Sequence, residues 1–284
     1  MNAGPPTLLE LGREAIRRLF ADEAIPLAGN MAFRVVFSLF PFLVFLTTIA
    51  GFIGDEALAQ RVVSYLLSVA PAELVDPIAP EIRSILTTRR TGLAGVAALL
   101  TVWSAMGGVD CLRVALNRAY DLKEHRSIGR LYAVDILFVF GSVAGLLLFS
   151  TLMVFAPLAI NVIDAHAPGF RQSLGWLETL RVPLAMALLA LGLLMCHRWL
   201  PARRLPVAAV LPGVLVTVIA WALMAQIFAA YLVRFNTFAS TYASLSGLFA
   251  AMFFTYLAAL VLILGGEINR VIAVRRPPRP VSSA

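Results

Sequence analysis

Asp110, Arg113, Asn117 and Tyr120 follow one another at intervals of three and four residues within the stretch "WSAMGGVDCLRVALNRAY". On a helix, that spacing puts all four on one narrow face. In water such a stripe is only a solvated surface. Inside hydrocarbon, Asp110 and Arg113 must pair with each other or line a polar path for an ion, a solute or a headgroup. Two other stretches pose the same question. "LAGNMAFRVVFSLFPFLVF" sets Asn30, Arg34 and Ser38 four apart, and Pro41 behind them crowds the carbonyl of Phe37 and predicts a kink. "LILGGEINR" sets Glu267 and Asn269 at the end of an apolar run. A glutamate at such depth is the chain's best candidate for taking up a proton or a cation. It shares a face with Arg270, and a salt bridge to Arg270, Arg34 or Arg113 is the competing expectation.

These residues acquire meaning from the elements that carry them. Of the 284 residues, 60% are hydrophobic and only 14% charged, with a mean hydropathy of +0.87, whereas soluble domains are about one-quarter charged. The apolar residues gather into six runs: Ala28–Ile53, Leu93–Leu116, Tyr132–Ile163, Val182–Leu200, Val207–Val233 and Ser244–Ile268. Each reaches about the 20 residues that a helix needs to cross a bilayer. The expected fold class is therefore all-α, a polytopic transmembrane helical bundle of six spans. The third run is longer than one crossing requires and is expected to tilt or project. Charges interrupt any apolar stretch in "MNAGPPTLLELGREAIRRLF", so the first span is expected to act as its own uncleaved insertion signal.

The net charge of +7 would suit nucleic acid, but it also follows from the tendency of Lys and Arg to stay on the cytoplasmic side. Distribution decides. Fourteen Lys and Arg residues fall on the side of the termini, seven on the other, and Arg34 and Arg113 inside spans. Both termini are thus expected in the cytoplasm (N-in/C-in). The basic residues are scattered over short loops without interleaved aromatics, so no nucleic acid is expected as a partner.

The chain divides into a cytoplasmic N-terminal amphipathic segment, 1–27, a six-span membrane domain, 28–270, and a basic, proline-rich cytoplasmic tail, 271–284. The extracytoplasmic loop 55–90 is expected to be helical. Leu58, Val62, Tyr65, Leu66 and Val69 recur there at helical spacing, Pro71 ends the segment, and "PEIRSILTTRR" supplies a second one. This short amphipathic hairpin would cap the bundle, lie at the membrane interface, or cover an outward-facing cavity as a lid. In the sixth span, Ala243, Gly247, Ala251, Thr255 and Ala259 make a small-residue ridge at i, i+4 that predicts close helix packing, with Gly247, Ala251 and Ala259 as the packing positions.

Catalytic and cofactor signals are sparse. Cys111 and Cys196 sit inside spans and read as small apolar residues. His125 and His197 fall toward the cytoplasm and His166 on the far side, so they are not expected to share a metal. No cofactor is expected, and neither is an enzyme.

Three blocks carry a family likeness. "NMAFRVVFSLFPFLVF" resembles the opening motif of the YihY/BrkB family of bacterial inner-membrane proteins. "LLTVWSAMGGVDCLRVALNRAYDLKEHRS" resembles its second-span block, with Trp-Ser, Asn-x-x-Tyr and a following acidic-x-Arg. "YASLSGLFAAMFFTYLAALVLILGGEINRVIA" is similar to its closing block, which ends Gly-x-Glu-x-Asn. Ala243 stands where a glycine often follows the tyrosine, and Arg34 where an aromatic is more usual. The resemblance implies a multi-pass inner-membrane protein, in a family whose members carry labels of ribonuclease, virulence and lipid movement.

The function expected is that of a transporter or flippase-like protein for a lipid-related or small solute. The alternative is a structural scaffold linked to envelope integrity or virulence. Membrane lipids are the expected partners, together with a second copy of the chain in a homo-oligomer. The pathway candidates are Asn30, Arg34, Asp110, Arg113, Asn117, Tyr120, Glu267 and Asn269. The charge asymmetry gives a first prediction, made in a chain whose two native cysteines are replaced. A membrane-impermeant maleimide added to intact cells should label Arg61→Cys and spare Arg279→Cys; labelling of the latter would reverse the orientation.

Overall fold

In a computed structural model of the chain, Thr7 opens the first helix with a reciprocal cap. The Thr7 hydroxyl accepts from the Glu10 N–H at 3.3 Å and the Glu10 carboxylate accepts from the Thr7 N–H at 3.2 Å. The structure describes residues 7–69, 79–87, 93–157, 160, 163–164, 175–235 and 243–275. These contain α1 (Leu8–Ala21), α2 (Ala24–Ile53), α3 (Glu56–Val69), α4 (Ala79–Thr87) and α5 (Leu93–Ala119). They continue with α6 (Ile128–Ser150), a π-helical turn (Thr151–Phe155), α7 (Gly175–Trp199), α8 (Val207–Phe235) and α9 (Ala243–Arg275). No strand occurs among the described residues. The fold is all-α.

Six helices, α2 and α5 to α9, are long and apolar enough to cross a membrane, and each expected run falls on one of them. Helices suit this solvent because every backbone group is satisfied within the segment. The third span occupies Ile128–Met153, so it begins four residues before the expected Tyr132. Asn161, His166, Asn236 and residues 276–284 of the tail lie outside the described residues, as do Pro71, Arg89 and Arg90 of the outer loop.

The chain forms two compact units, Arg34–Gly107 and the remainder. Within the first, α3 packs against α4 as a helical hairpin. Asp55 caps α3 by accepting the Leu58 N–H at 2.7 Å. Gly54 lies so close to the Leu86 carbonyl that a side chain there would collide with it, and the Arg34 guanidinium fills the space beside Gly107.

In the larger unit, small side chains let helices approach. Ala24, Ala28 and Met31 of α2, Cys111, Ala115 and Ala119 of α5, and Ala259 and Ile263 of α9 make one core. Leu116, Leu193, Leu200, Val214, Val218 and Leu262 make a second, joining α5, α7, α8 and α9. The closest approach lies between α8 and α9. A Cβ on Gly213 would strike the Gly265 carbonyl, and one on Gly265 would strike the Thr217 hydroxyl. The Trp221 indole N–H donates across the same interface to the Ala258 carbonyl at 3.0 Å.

The ridge expected on α9 lies apart from this contact. Ala259 is buried, but Gly247 and Ala251 face outward, and nothing lies within 4 Å of a Cβ at Gly247. The reason is geometric. An i, i+4 row turns about 40° per step on a 3.6-residue helix, so five such positions wind off any single contact face. We expect Gly265→Leu to lower the thermal midpoint of the detergent-solubilised protein, since forcing methylenes into a packed site costs about 1–3 kcal/mol or more. Gly247→Leu should leave it in place; equal effects would mean that α8 and α9 do not meet at Gly265.

Candidate functional site

The site grows from the end of α5. There Asp121 adopts a left-handed backbone, φ 54, and the Leu122 N–H reaches back to the Asn117 carbonyl at 2.8 Å. This is a Schellman-type stop in which an aspartate takes the place usually held by glycine. It reverses the chain and lays Glu124 over the last turns of α5.

Glu124 then becomes a hub. Its Oε2 accepts from Arg113 at 3.4 Å, Asn117 at 3.2 Å and Arg126 Nη2 at 2.8 Å. Its Oε1 accepts from Arg126 Nε at 2.9 Å and from the backbone N–H groups of His125 and Arg126. The Arg126 side chain, helped by desolvation-opposing hydrogen bonds from its own backbone N–H and from Asn117, holds the Glu124 carboxyl down to about 2. Arg113, buried on α5, also pairs with Asp110. Two bonds then fasten this corner to the turn between α7 and α8: Arg126 donates to the Leu200 carbonyl at 2.8 Å, and the Ala202 N–H donates to Asn117 Oδ1 at 2.7 Å. Asp135, buried on α6, sits in the field of Arg113, Asp110, Arg126 and Glu124.

A second chain of bonds crosses the same end of the unit. The Gly213 N–H donates to Asn269 Oδ1 at 2.6 Å, one residue after Pro212 has interrupted the α8 ladder. Asn269 Nδ2 donates to the Tyr120 oxygen at 2.9 Å, and that oxygen lies 2.8 Å from His197 Nδ1. Burial pushes the Tyr120 phenol above its ordinary value, so it keeps its proton. On the other side of the ring, His197 Nε2 is buried and has no hydrogen-bond partner among the described residues.

Glu267 is different from both. It is fully buried on α9, and neither carboxylate oxygen has a hydrogen-bond partner among the described residues. The charges that act on it are Arg18 of α1 and Asp22, which caps the end of that helix. None of the three expected salt bridges forms. Arg270 instead reaches the exposed Asp121 at 2.7 Å, because a guanidinium near a helix end is better hydrated at the rim. Arg113 is already held by Asp110 and Glu124, and Arg34 lies against Gly107.

The structure therefore divides the eight expected pathway residues. Asp110, Arg113 and Asn117 join the Glu124 hub, Tyr120 and Asn269 join the His197 chain, and Glu267 stands beside α1. Asn30 and Arg34 are exposed on α2. Sequence reasoning missed Glu124, Arg126 and His197 as members. The acidic-x-Arg pair in the second-span block was the one signal that pointed to the first two.

The depressed Glu124 carboxyl sets a pH prediction. A carboxyl lowered by folding contributes stability that is fully present above its unfolded value, near 4.5, and is lost as pH falls toward about 2. The gap in thermal midpoint between the natural chain and Glu124→Gln should be widest above pH 4.5 and close progressively below it. A gap independent of pH would remove Glu124 as the hub's charge.

With this geometry in view, comparison with known proteins is informative. Over 264 residues the chain is 25% identical to YfkH of Bacillus subtilis, a protein named ribonuclease-like, covering 93% of this chain and 95% of that one. It is 25% identical to a UPF0761 membrane protein of Pseudoalteromonas translucida, covering 91% and 84% of the two chains. A UPF0761 membrane protein of Ralstonia nicotianae is 23% identical, with 95% of this chain matching 60% of the longer relative. No solved structure matches the chain. Residues 15–284 match the family model described as Virulence factor BrkB, and the chain, an integral membrane protein with six apolar spanning helices, belongs to that family.

Proposed function

We propose that this protein is a transporter or flippase-like protein of the bacterial inner membrane, moving a lipid-related or small solute, with Glu267 as the group that takes up and releases a proton or cation. One observation carries the reading. Glu267 is wholly buried and neither of its oxygens has a hydrogen-bond donor among the described residues. Burying an ionised carboxylate alone costs several kcal/mol. A carboxyl kept in such a place is either protonated or partnered by something that comes and goes, and ionisable groups at membrane depth commonly mark ion and substrate pathways.

The Glu124 hub favours a second reading for its own members. Arg113, Asn117 and Arg126 are engaged in bonds that tie two interhelical corners together, which suits a scaffold protein whose polar pairs fix helix packing.

Vesicles containing fluorescent phosphatidylglycerol, probed with dithionite, test the leading reading. The reconstituted protein should speed exchange between leaflets, and Glu267→Gln should slow it by about tenfold or more, equivalent to about 1.4 kcal/mol. Full activity in Glu267→Gln would remove that residue from the mechanism, and no acceleration by the natural chain would remove lipid from the substrate list. The name carried by YfkH prompts a further arm, in which the same preparation, with and without chelator, should leave RNA uncut.

A further inference from the structure

We propose that α1 is a membrane-seated helix, with Leu9, Ile16 and Phe20 buried among the acyl chains and headgroups of the adjoining leaflet. The helix has three sectors. Ala15 is buried, Leu19 packs on the core formed by α2, α5 and α9, and α1 lies against α9. Glu14, Arg17 and Arg18 form a charged sector knit by its own ion pairs. The third sector is apolar and open: Leu9 is 83% exposed, Ile16 50% and Phe20 62%. These three lie within about 40° of one another around the helix, next to the buried sector.

A water-facing helix gains nothing from such a surface. Each large apolar side chain forgoes its transfer out of water when it stays exposed. What covers the stripe follows from where the chain holds it. α1 ends at Ala21 and the first span begins at Ala24, so two residues separate the helix from hydrocarbon. The corner between them is fixed. Glu23 takes a left-handed backbone, φ 56, and pairs with Arg118 at the end of α5. The open stripe therefore sits at the membrane edge, continuous with Ile25, which is exposed at the start of the span. Arg13 and Arg17 border it, and Arg13 makes no ion pair among the described residues, leaving it for anionic headgroups at the depth where such residues attract them. A second copy of the chain is the poorer occupant, since a stable interface takes about 20–30 residues a side and this stripe has three large ones.

This seating does not depend on the transport reading. Its sequel concerns the same site, because Arg18 of α1 and Asp22 at the end of that helix act electrostatically on Glu267.

Spin labels test it in the full chain with Cys111 and Cys196 replaced by alanine, reconstituted in phosphatidylethanolamine–phosphatidylglycerol vesicles. Single cysteines at Leu9, Ile16 and Phe20 should collide readily with oxygen and poorly with a water-soluble nickel chelate. Labels at Glu10 and Glu14 should show the reverse, giving a helical alternation along α1. Nickel collision at the apolar positions equal to that at Glu10 would overturn the proposal. Low collision with both reagents, with dipolar broadening between labels, would overturn it in favour of a second copy. Leu9, Glu10, Ile16 and Phe20 are exposed and Glu14 is half-buried among its own ion partners, outside the packed core, and lost leaflet exchange with retained alternation would fault the transport reading alone.

Discussion

Glu124 accepts six hydrogen bonds from four residues, and the polar end of the larger unit is organised around it. The constraint behind this is the scarcity of water at membrane depth. A guanidinium on a spanning helix cannot stay unpaired, and Arg113 is 6% exposed. Asp110 answers one side of it. The other side needs a carboxylate from outside the helix, which the left-handed stop at Asp121 delivers. Once Glu124 is in place, Arg126 and Asn117 follow, and with them the carbonyl of Leu200 and the N–H of Ala202. Two interhelical turns are thereby fastened through one anion.

The contrast with Glu267 gives the arrangement its functional interest. A glutamate in the turn after α5 and a glutamate within α9 meet opposite fates, one with six donors and one with none among the described residues. A fully satisfied network is rigid and holds one geometry. An unsatisfied buried carboxyl is held at a cost, and the Tyr120–His197–Asn269 chain beside it is only partly satisfied, ending at the bare Nε2 of His197. The unit thus places a fixed corner and a chemically restless one at the same end.

Much of the fold was legible from residue types, because crossing hydrocarbon demands about 20 apolar residues and few substitutes exist. The stripe on the second span was legible too: Asp110 and Arg113 stand three apart, and the helix itself makes them neighbours. What could not be read depends on contacts distant in the chain. Glu124 becomes a hub only after a reversal through an aspartate, where sequence rules look for glycine. Arg270 shares a face with Glu267, yet it turns to Asp121, 149 positions away. The α8–α9 contact escaped because Gly213 and Gly265 belong to different helices, whereas a ridge drawn along one helix says nothing of where its neighbour lies.

That contact has a mechanical consequence. Glycine against glycine, an indole bond to Ala258 and the Asn269 amide on Gly213 clamp α8 to α9 at several levels. α9 runs 33 residues without a proline, about 50 Å of straight rod against a hydrocarbon slab of about 30 Å. Pro41, Pro183 and Pro212 weaken α2, α7 and α8 instead. Within the larger unit, α8 and α9 therefore move as one piece where they are clamped, like a mast with its stay lashed to it.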